Sequence, residues 1–419
     1  MGKLYNPLPE NYEPYKTPIK FMTTETYCCP ASLKVDLYQG CSFSCLYCFA
    51  MDWFLNMYHN WWRPAKPADI SIVEKELANA FSGKSDSPLA NALRHRQYIR
   101  LGSMTDSFQP IELQHRLTQK FFEIANRYDK YPVLIFTKSI LQANDEYIKL
   151  MKDGNYVCQE SISIYDDELR KKIEPGTYST QKRFVALSKL HRHDIPIQVR
   201  ISPHIYPLVD KSDTIRIIEE AKSCGVNEII WEPIRITTPS NKIFIQETGI
   251  DLIKKMKEFG DGEVESDYGG GSYRNTFPVR QKVMEWVKQE VEDRGMKFYH
   301  CLAETACNAT KPGEDCCGMD NYPEFSKGSV KRNIQKIYVM LKEKGTLSYE
   351  DVSHLWTPNE KEAEKQWFDG TLARYLADVT FDGERYHYEK NAYLGKKDKY
   401  ESITKMQKEI EGGDLFDMF

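Results

Sequence analysis

The chain has 419 residues, a formal net charge of -4, and 41% hydrophobic and 28% charged residues. That length supports roughly two to four domains, and the charge excludes a global polycation while leaving room for a local basic face that binds nucleic acid. The opening MGKLYNPLPENYEPYK lacks the apolar core of a signal peptide, and no stretch reaches the ~20 apolar residues of a membrane span. The expectation is a soluble, cytoplasmic protein with no membrane partner. Thiols stay reduced in that compartment, so eleven cysteines point to metal or redox chemistry rather than to structural disulfides.

Residues 1–32 are rich in Pro, Tyr and Thr without a sustained period and read as an extended lead-in. From Leu33 the pattern becomes regular. LKVDLYQ is a short strand ending at Gly40, SIVEKELANAF has helical spacing, and QYIRLGS is again a strand. The helix around 113–127 then precedes PVLIFTKS, and that around 145–152 precedes YVCQESISI. The helix around 181–191 precedes IPIQVRISP, and that around 214–224 precedes EIIWEPIRI. Strand–helix alternation of this kind specifies parallel strands joined by right-handed crossovers. Six such units predict an α/β fold, a partial (βα)6 TIM-like barrel over 33–236.

After Ile236 the rhythm breaks. IDLIKKMKEFG and PVRQKVMEWVKQEVEDRG read as helices separated by the flexible stretch ESDYGGGSYRNT, which makes 237–329 a helical cap. From residue 330 the order is helix, short helix, longer helix, then TFDGERYHY, where Asp382-Gly383 supports a hairpin. That order suits a small winged-helix-like unit over 330–419. Its recognition helix would be 360–376, but Glu362 and Glu364 mixed with Lys361, Lys365 and Arg374 make a poor phosphate-binding face. Lys390, Lys396, Lys397 and Lys399 form a more basic segment beyond it, so nucleic-acid binding and protein contact both stay open for this unit.

Cys41-Ser-Phe-Ser-Cys45-Leu-Tyr-Cys48 follows the first barrel strand. The loop therefore lies at the C-terminal edge of the strands, where barrel chemistry sits. Three thiolates from one loop leave one iron of a four-iron cube without a local protein ligand, free to hold a substrate or cofactor. The competing reading is half of a zinc site.

This C-x3-C-x2-C loop ahead of β/α alternation resembles the radical S-adenosylmethionine superfamily. Within it, LYQGCSFSCLYCFA, RLGSMTDSFQPIE, VLIFTKS, SISIYDDELRKKIEPG and VRISPHIYP are similar to the spore photoproduct lyase-like group. The resemblance implies a [4Fe–4S] cluster on Cys41, Cys45 and Cys48 that chelates S-adenosylmethionine and cleaves it to a 5′-deoxyadenosyl radical. An electron donor such as flavodoxin or ferredoxin is implied as well. The cofactors carry that chemistry, and the protein positions the reacting atom and excludes water.

The zwitterionic end of the cofactor needs charged and hydrogen-bonding partners at strand ends, and Lys138, Ser161, Ser163 and Arg200 are placed for it. Lys138 matches the lysine that contacts the cofactor carboxylate in the group. Asp106 and Glu232 are further candidates, each alternatively a helix cap or an arginine partner. Tyr47 lies where the superfamily puts an aromatic residue against the adenine. Two departures count against the group's own substrate. Phe49 replaces a tyrosine, and Ser103 falls where the hydrogen-donating cysteine belongs. Behind the loop, Trp53, Phe54, Tyr58, Trp61 and Trp62 either stack on a base or roof a core.

A second group, Cys301, Cys307, Cys316 and Cys317, lies next to His300. Four thiols at this spacing are candidates for an auxiliary iron–sulfur cluster or zinc. Adjacent Cys316 and Cys317 diverge, which leaves one of them available as a catalytic thiol that returns hydrogen. Cys28, Cys29, Cys158 and Cys224 lack partners at ligand spacing and read as ordinary buried thiols. The sequence thus predicts a radical enzyme that modifies or repairs an unidentified substrate, with a nucleic-acid-derived one left open. Two alternatives stand beside it: a peptide- or metabolite-modifying enzyme using an auxiliary cluster, and a non-catalytic iron–sulfur or zinc regulator that binds nucleic acid.

Overall fold

The computed structural model describes residues 13–21, 33–50, 65–260, 262–267, 272–301, 316–326, 337, 340–353, 367–368 and 379–389. Eight strands form its main sheet: β1 (Ile19–Phe21), β2 (Leu33–Val35), β3 (Ile99–Leu101), β4 (Val133–Thr137), β5 (Tyr156–Ser161), β6 (Ile197–His204), β7 (Glu228–Pro233) and β8 (Lys297–His300). They lie side by side in chain order. β1 pairs antiparallel with β2, and every later pairing, from β2 with β3 to β7 with β8, is parallel.

Strands buried on both faces read as continuous apolar runs, and VLIFT of β4 is buried at every position. Helices supply the crossovers, and three of them are started by a side chain that accepts from a free backbone N–H. Asp69 caps Ile70–Phe81, Ser179 caps Thr180–Arg192 and Asp210 caps Lys211–Ser223. Their buried residues, among them Leu77, Phe184, Leu187, Ile217 and Ile218, join the strands in one core.

Several elements differ from the sequence reading. The lead-in contributes β1, and the region beyond 236 returns to the sheet as β8. The helix expected over 113–127 is two, Glu112–His115 and Leu117–Arg127, broken where Arg116 takes a left-handed backbone with φ of 55°. The stretch expected to be flexible holds two strands, Glu265–Asp267 and Ser272–Arg274, and the second also pairs with Ile236–Thr237. Arg280 explains the order, because its guanidinium bridges Glu265 at 2.7 Å and the Asn275 carbonyl.

The hairpin at Asp382-Gly383 is present. Val379–Phe381 pairs with Tyr386–Tyr388, and Thr346–Leu347 adds a third strand. Ile337, Leu341, Leu347, Val352, Trp367, Val379 and Tyr386 pack beside this sheet. The rest of the expected recognition helix, apart from Trp367 and Phe368, lies outside the described residues, as do Lys390, Lys396, Lys397 and Lys399. No helix among the described residues is long and apolar enough to cross a membrane.

Candidate active site

The cysteine loop begins where β2 ends and is anchored from two sides. Gly40, with φ of 97°, turns the chain in a region that disfavours a side chain. Buried Gln109 then clasps the turn. Its amide donates to the Gly40 carbonyl at 3.0 Å, and its oxygen accepts from the Ser42 N–H at 3.0 Å. On the other side the Leu46 N–H donates to the Ile173 carbonyl and the Gly176 N–H to the Phe43 carbonyl, both at 3.0 Å. Gly176 sits so close that an added Cβ would lie 2.3 Å from the Ser42 carbonyl oxygen.

Cys41, Cys45 and Cys48 all line a cleft whose empty volume, open mouth included, is about 1550 Å³. Burial and the nearby Asp106 push the Cys41 thiol up to about 12, and burial beside Glu174 pushes Cys45 well up. A bound metal inverts that preference, since a coordinating thiol is deprotonated outright. The three thiols are close enough to bear on one another's ionisation, yet no three His, Cys, Asp or Glu among the described residues gather tightly enough for a single metal ion.

Below the loop runs a ladder of buried charges. The Lys138 ammonium is 3.6 Å from Glu174, donates to the Ser202 carbonyl at 3.1 Å and lies 5.7 Å from the centre of the Tyr47 ring. An ammonium has three donors, so one remains for a ligand in the cleft. Glu174 also accepts from the Tyr47 hydroxyl and pairs with Arg183 at 3.3 Å. Burial alone would raise Glu174, but Lys138, Arg183 and Tyr47 outweigh it and hold the carboxyl below its ordinary value. Arg183 continues to Glu160 at 2.8 Å, which burial pushes up to about 8 against the pull of that guanidinium.

On the opposite wall Arg200 donates to Glu232 at 2.6 Å, and Ser202 donates to the same oxygen at 2.6 Å. Glu232 is thus an arginine partner, one of the two roles open to it. Burial disfavours its charge, but Arg200 and Ser202 lower it below its usual range. Asp106 takes neither alternative role. It accepts from Phe108 N–H at 2.8 Å, Lys138 N–H at 2.7 Å and the Thr137 hydroxyl at 3.0 Å, tying the loop after β3 to the end of β4.

Residues 316–326 approach from the other end of the sheet. The Cys317 carbonyl accepts from Gln159 and Gln198, both at 3.2 Å. Asn321 contacts Lys297 and Glu228 near the starts of β8 and β7, and Glu324 reaches Arg96. The segment therefore lies beneath the cleft, so Cys316 and Cys317, the candidate hydrogen-returning thiols, approach it from the floor. Cys301 and Cys317 line the cleft, and Cys316 is buried against Cys301.

Of the positions expected from sequence, Tyr47, Ser103, Asp106, Lys138, Ser161, Arg200 and Glu232 line this cleft with the three loop cysteines. Ser163 does not; it is fully buried behind Tyr47, which it contacts. Cys301, Cys316 and Cys317 supply no metal site among the described residues. Cys307, Cys28, Cys29 and the aromatic run with Trp53, Phe54, Tyr58, Trp61 and Trp62 lie outside them. Cys158 and Cys224 are buried and unbridged. Gln109, Glu174, Arg183 and Arg100 were missed. The one signal for Glu174 is the Pro-Gly that follows it, which stops a charged helix against another segment.

No family model matches the chain. An uncharacterized protein of Methanocaldococcus jannaschii is 24% identical over 180 residues, 43% of this chain and 63% of its own length. One from Mycobacterium tuberculosis H37Rv is 25% identical over 196 residues, 44% of this chain and 53% of its own. The chain thus spans less than two thirds of these relatives. Among solved structures it is similar to spore photoproduct lyase complexed with dinucleoside spore photoproduct, with a TM-score of 0.51 and 15% identity over 67% of this chain and 78% of that one. A variant of that lyase with bound AdoMet and dinucleoside spore photoproduct matches equally, with a TM-score of 0.51 and 15% identity over the same shares. The shared property is the fold, a parallel α/β sheet.

Proposed function

We propose that the chain is a radical S-adenosylmethionine enzyme. One observation carries the reading: three cysteine thiols from a single loop, Lys138 and Ser161 all face one cleft at the C-terminal ends of a parallel sheet. Cys41, Cys45 and Cys48 would hold a [4Fe–4S] cluster, with Lys138, Ser161 and Tyr47 beside it as the seat for S-adenosylmethionine. When bound, that pair supplies reductive cleavage of the cofactor's S–C5′ bond and a 5′-deoxyadenosyl radical, given an electron donor such as flavodoxin or ferredoxin. The chain's own work is positional. Lys138, steadied by Glu174 and the Ser202 carbonyl, offers its remaining donor to a carboxylate and so orients the cofactor beside the loop.

The fold neighbour carries a dinucleoside photoproduct, which keeps a nucleic-acid-derived substrate in view. Ser103 and Phe49 both line the cleft and lack, respectively, the thiol and the phenol of the lyase-like pattern. Repair of that same photoproduct is therefore not the expected reaction. Anaerobic reconstitution tests the reading. The protein should hold about four irons, and S-adenosylmethionine should alter the electron paramagnetic resonance spectrum of the reduced cluster. A cluster whose spectrum ignores the cofactor rejects the proposal.

A further inference from the structure

The proposed reaction takes a hydrogen atom from a substrate and leaves a carbon radical, which a hydrogen atom returned by the protein would quench. A thiol S–H bond is weaker than a C–H bond, so transfer from sulfur to carbon runs downhill. A serine O–H bond is too strong to serve, which removes Ser103, a residue that lines the cleft. Five cysteines line it as well: Cys41, Cys45, Cys48, Cys301 and Cys317. The first three are the loop ligands of the proposed function, and a ligating sulfur has given up its hydrogen. Cys301 and Cys317 remain.

Cys301 is the more accessible of the two, half-buried where Cys317 is buried. It follows β8, the edge strand of the sheet, so the thiol enters the cleft from a different strand than Ser103, which follows β3. Its backbone is fixed, since its N–H donates to the Trp231 carbonyl at 2.8 Å. Its thiol is hydrogen-bonded to that of Cys316, a contact that needs a hydrogen on sulfur and holds the side chain in one direction. Cys316 is held in turn, because the carbonyl of the next residue accepts from Gln159 and Gln198, both at 3.2 Å. Cys301, Cys316 and Cys317 are all unbridged. We infer that Cys301 gives its hydrogen atom to the carbon radical formed in the cleft, with Cys316 as the residue that positions it. The S–H bond breaks as a C–H bond forms, and the sulfur keeps the unpaired electron. One electron and one proton then restore the thiol, the electron coming from the same low-potential donor that serves the proposed cluster. The inference rests on the proposed function for the radical and goes beyond it in naming what quenches that radical.

Without substrate the 5′-deoxyadenosyl radical is itself the carbon radical in the cleft, so the test needs no knowledge of the substrate. Anaerobic, cluster-loaded protein is exchanged into deuterium oxide free of added thiols and reduced with dithionite in the presence of S-adenosylmethionine, and the released 5′-deoxyadenosine is analysed by mass spectrometry. Thiol hydrogens exchange with the solvent and carbon-bound ones do not, while the O–D bond of the solvent is too strong to give deuterium to a carbon radical. Wild type should release singly deuterated product. Cys301→Ser, which keeps the shape of the side chain, should lose that label while retaining its iron, and Cys316→Ser should lower the labelled fraction. A purely structural role for Cys301 would change the yield of product and not its label. Unlabelled product from wild type refutes the donor without any variant, and so does label that survives in Cys301→Ser or is lost only in Cys317→Ser. Unlabelled product leaves the proposed function standing, whereas an iron-loaded protein that releases no product rejects the proposed function, and the donor falls with it.

Discussion

Replacing Glu174 by Gln keeps the shape of the side chain and removes its charge. The carboxylate is fully buried, 3.6 Å from Lys138 and 3.3 Å from Arg183, which is itself fully buried. At an effective dielectric constant of ~20 each contact is worth ~5 kcal/mol before desolvation is counted. Relief of the carboxylate's own burial offsets part of that. Glu160 cannot take over the pairing, because burial already pushes its pKa to about 8 and favours its protonated form near neutrality. Breaking one partner out of a buried pair costs about 3–5 kcal/mol, which is the expected loss for Glu174→Gln. Urea denaturation of the metal-free protein measures it, with Lys138→Met and the double variant completing a cycle. The two changes should be strongly coupled. A Glu174→Gln protein within ~0.5 kcal/mol of wild type, the scatter of ordinary surface substitutions, would show that the ladder does not hold the site together.

Gly176→Ala places a methyl group against the Ser42 carbonyl, 2.3 Å away before relaxation, so the cysteine loop must shift; about 1–3 kcal/mol of stability and part of the bound iron should be lost, as metal analysis would report. His204 is fully buried between Thr214 and the Trp231 indole, and burial lowers its pKa from 6.5 to about 3. Below pH 6.5 the unfolded chain takes up a proton that the folded one refuses, so stability falls as pH falls, by about 2 kcal/mol between pH 7 and pH 5. His204→Gln should remove that slope in urea titrations at the two pH values, and an identical slope in both proteins contradicts the assignment. Lys138→Ala should keep its cluster yet bind S-adenosylmethionine about 1.5–3 kcal/mol more weakly by calorimetry; unchanged affinity would reduce Lys138 to a structural role.

The parallel strands were legible because each is a short apolar run followed by an amphipathic helix, as in PVLIFTKS and the helix Asp145–Lys152. The cysteine loop was legible because three thiols at fixed spacing have few other uses. Lys138, Arg200 and Glu232 followed from their places at strand ends. Glu174 and Arg183 did not, since each lies in a charged helical stretch that reads as solvated surface, and only tertiary packing buries both. β8 was hidden because KFYH follows a segment without barrel rhythm, and β1 because three residues carry no measurable period. The floor formed by 316–326 was equally silent in sequence. Its role depends on Gln159 and Gln198 gripping the Cys317 carbonyl, a contact between segments more than a hundred residues apart.

The central claim is that the loop of Cys41, Cys45 and Cys48 supports reductive cleavage of S-adenosylmethionine, and product analysis under dithionite tests it most directly. Cluster-loaded wild-type protein should release 5′-deoxyadenosine, and a Cys41→Ala, Cys45→Ala, Cys48→Ala triple variant should release none. Equal amounts of 5′-deoxyadenosine from both proteins, or none from a wild type with about four irons bound, would contradict the account.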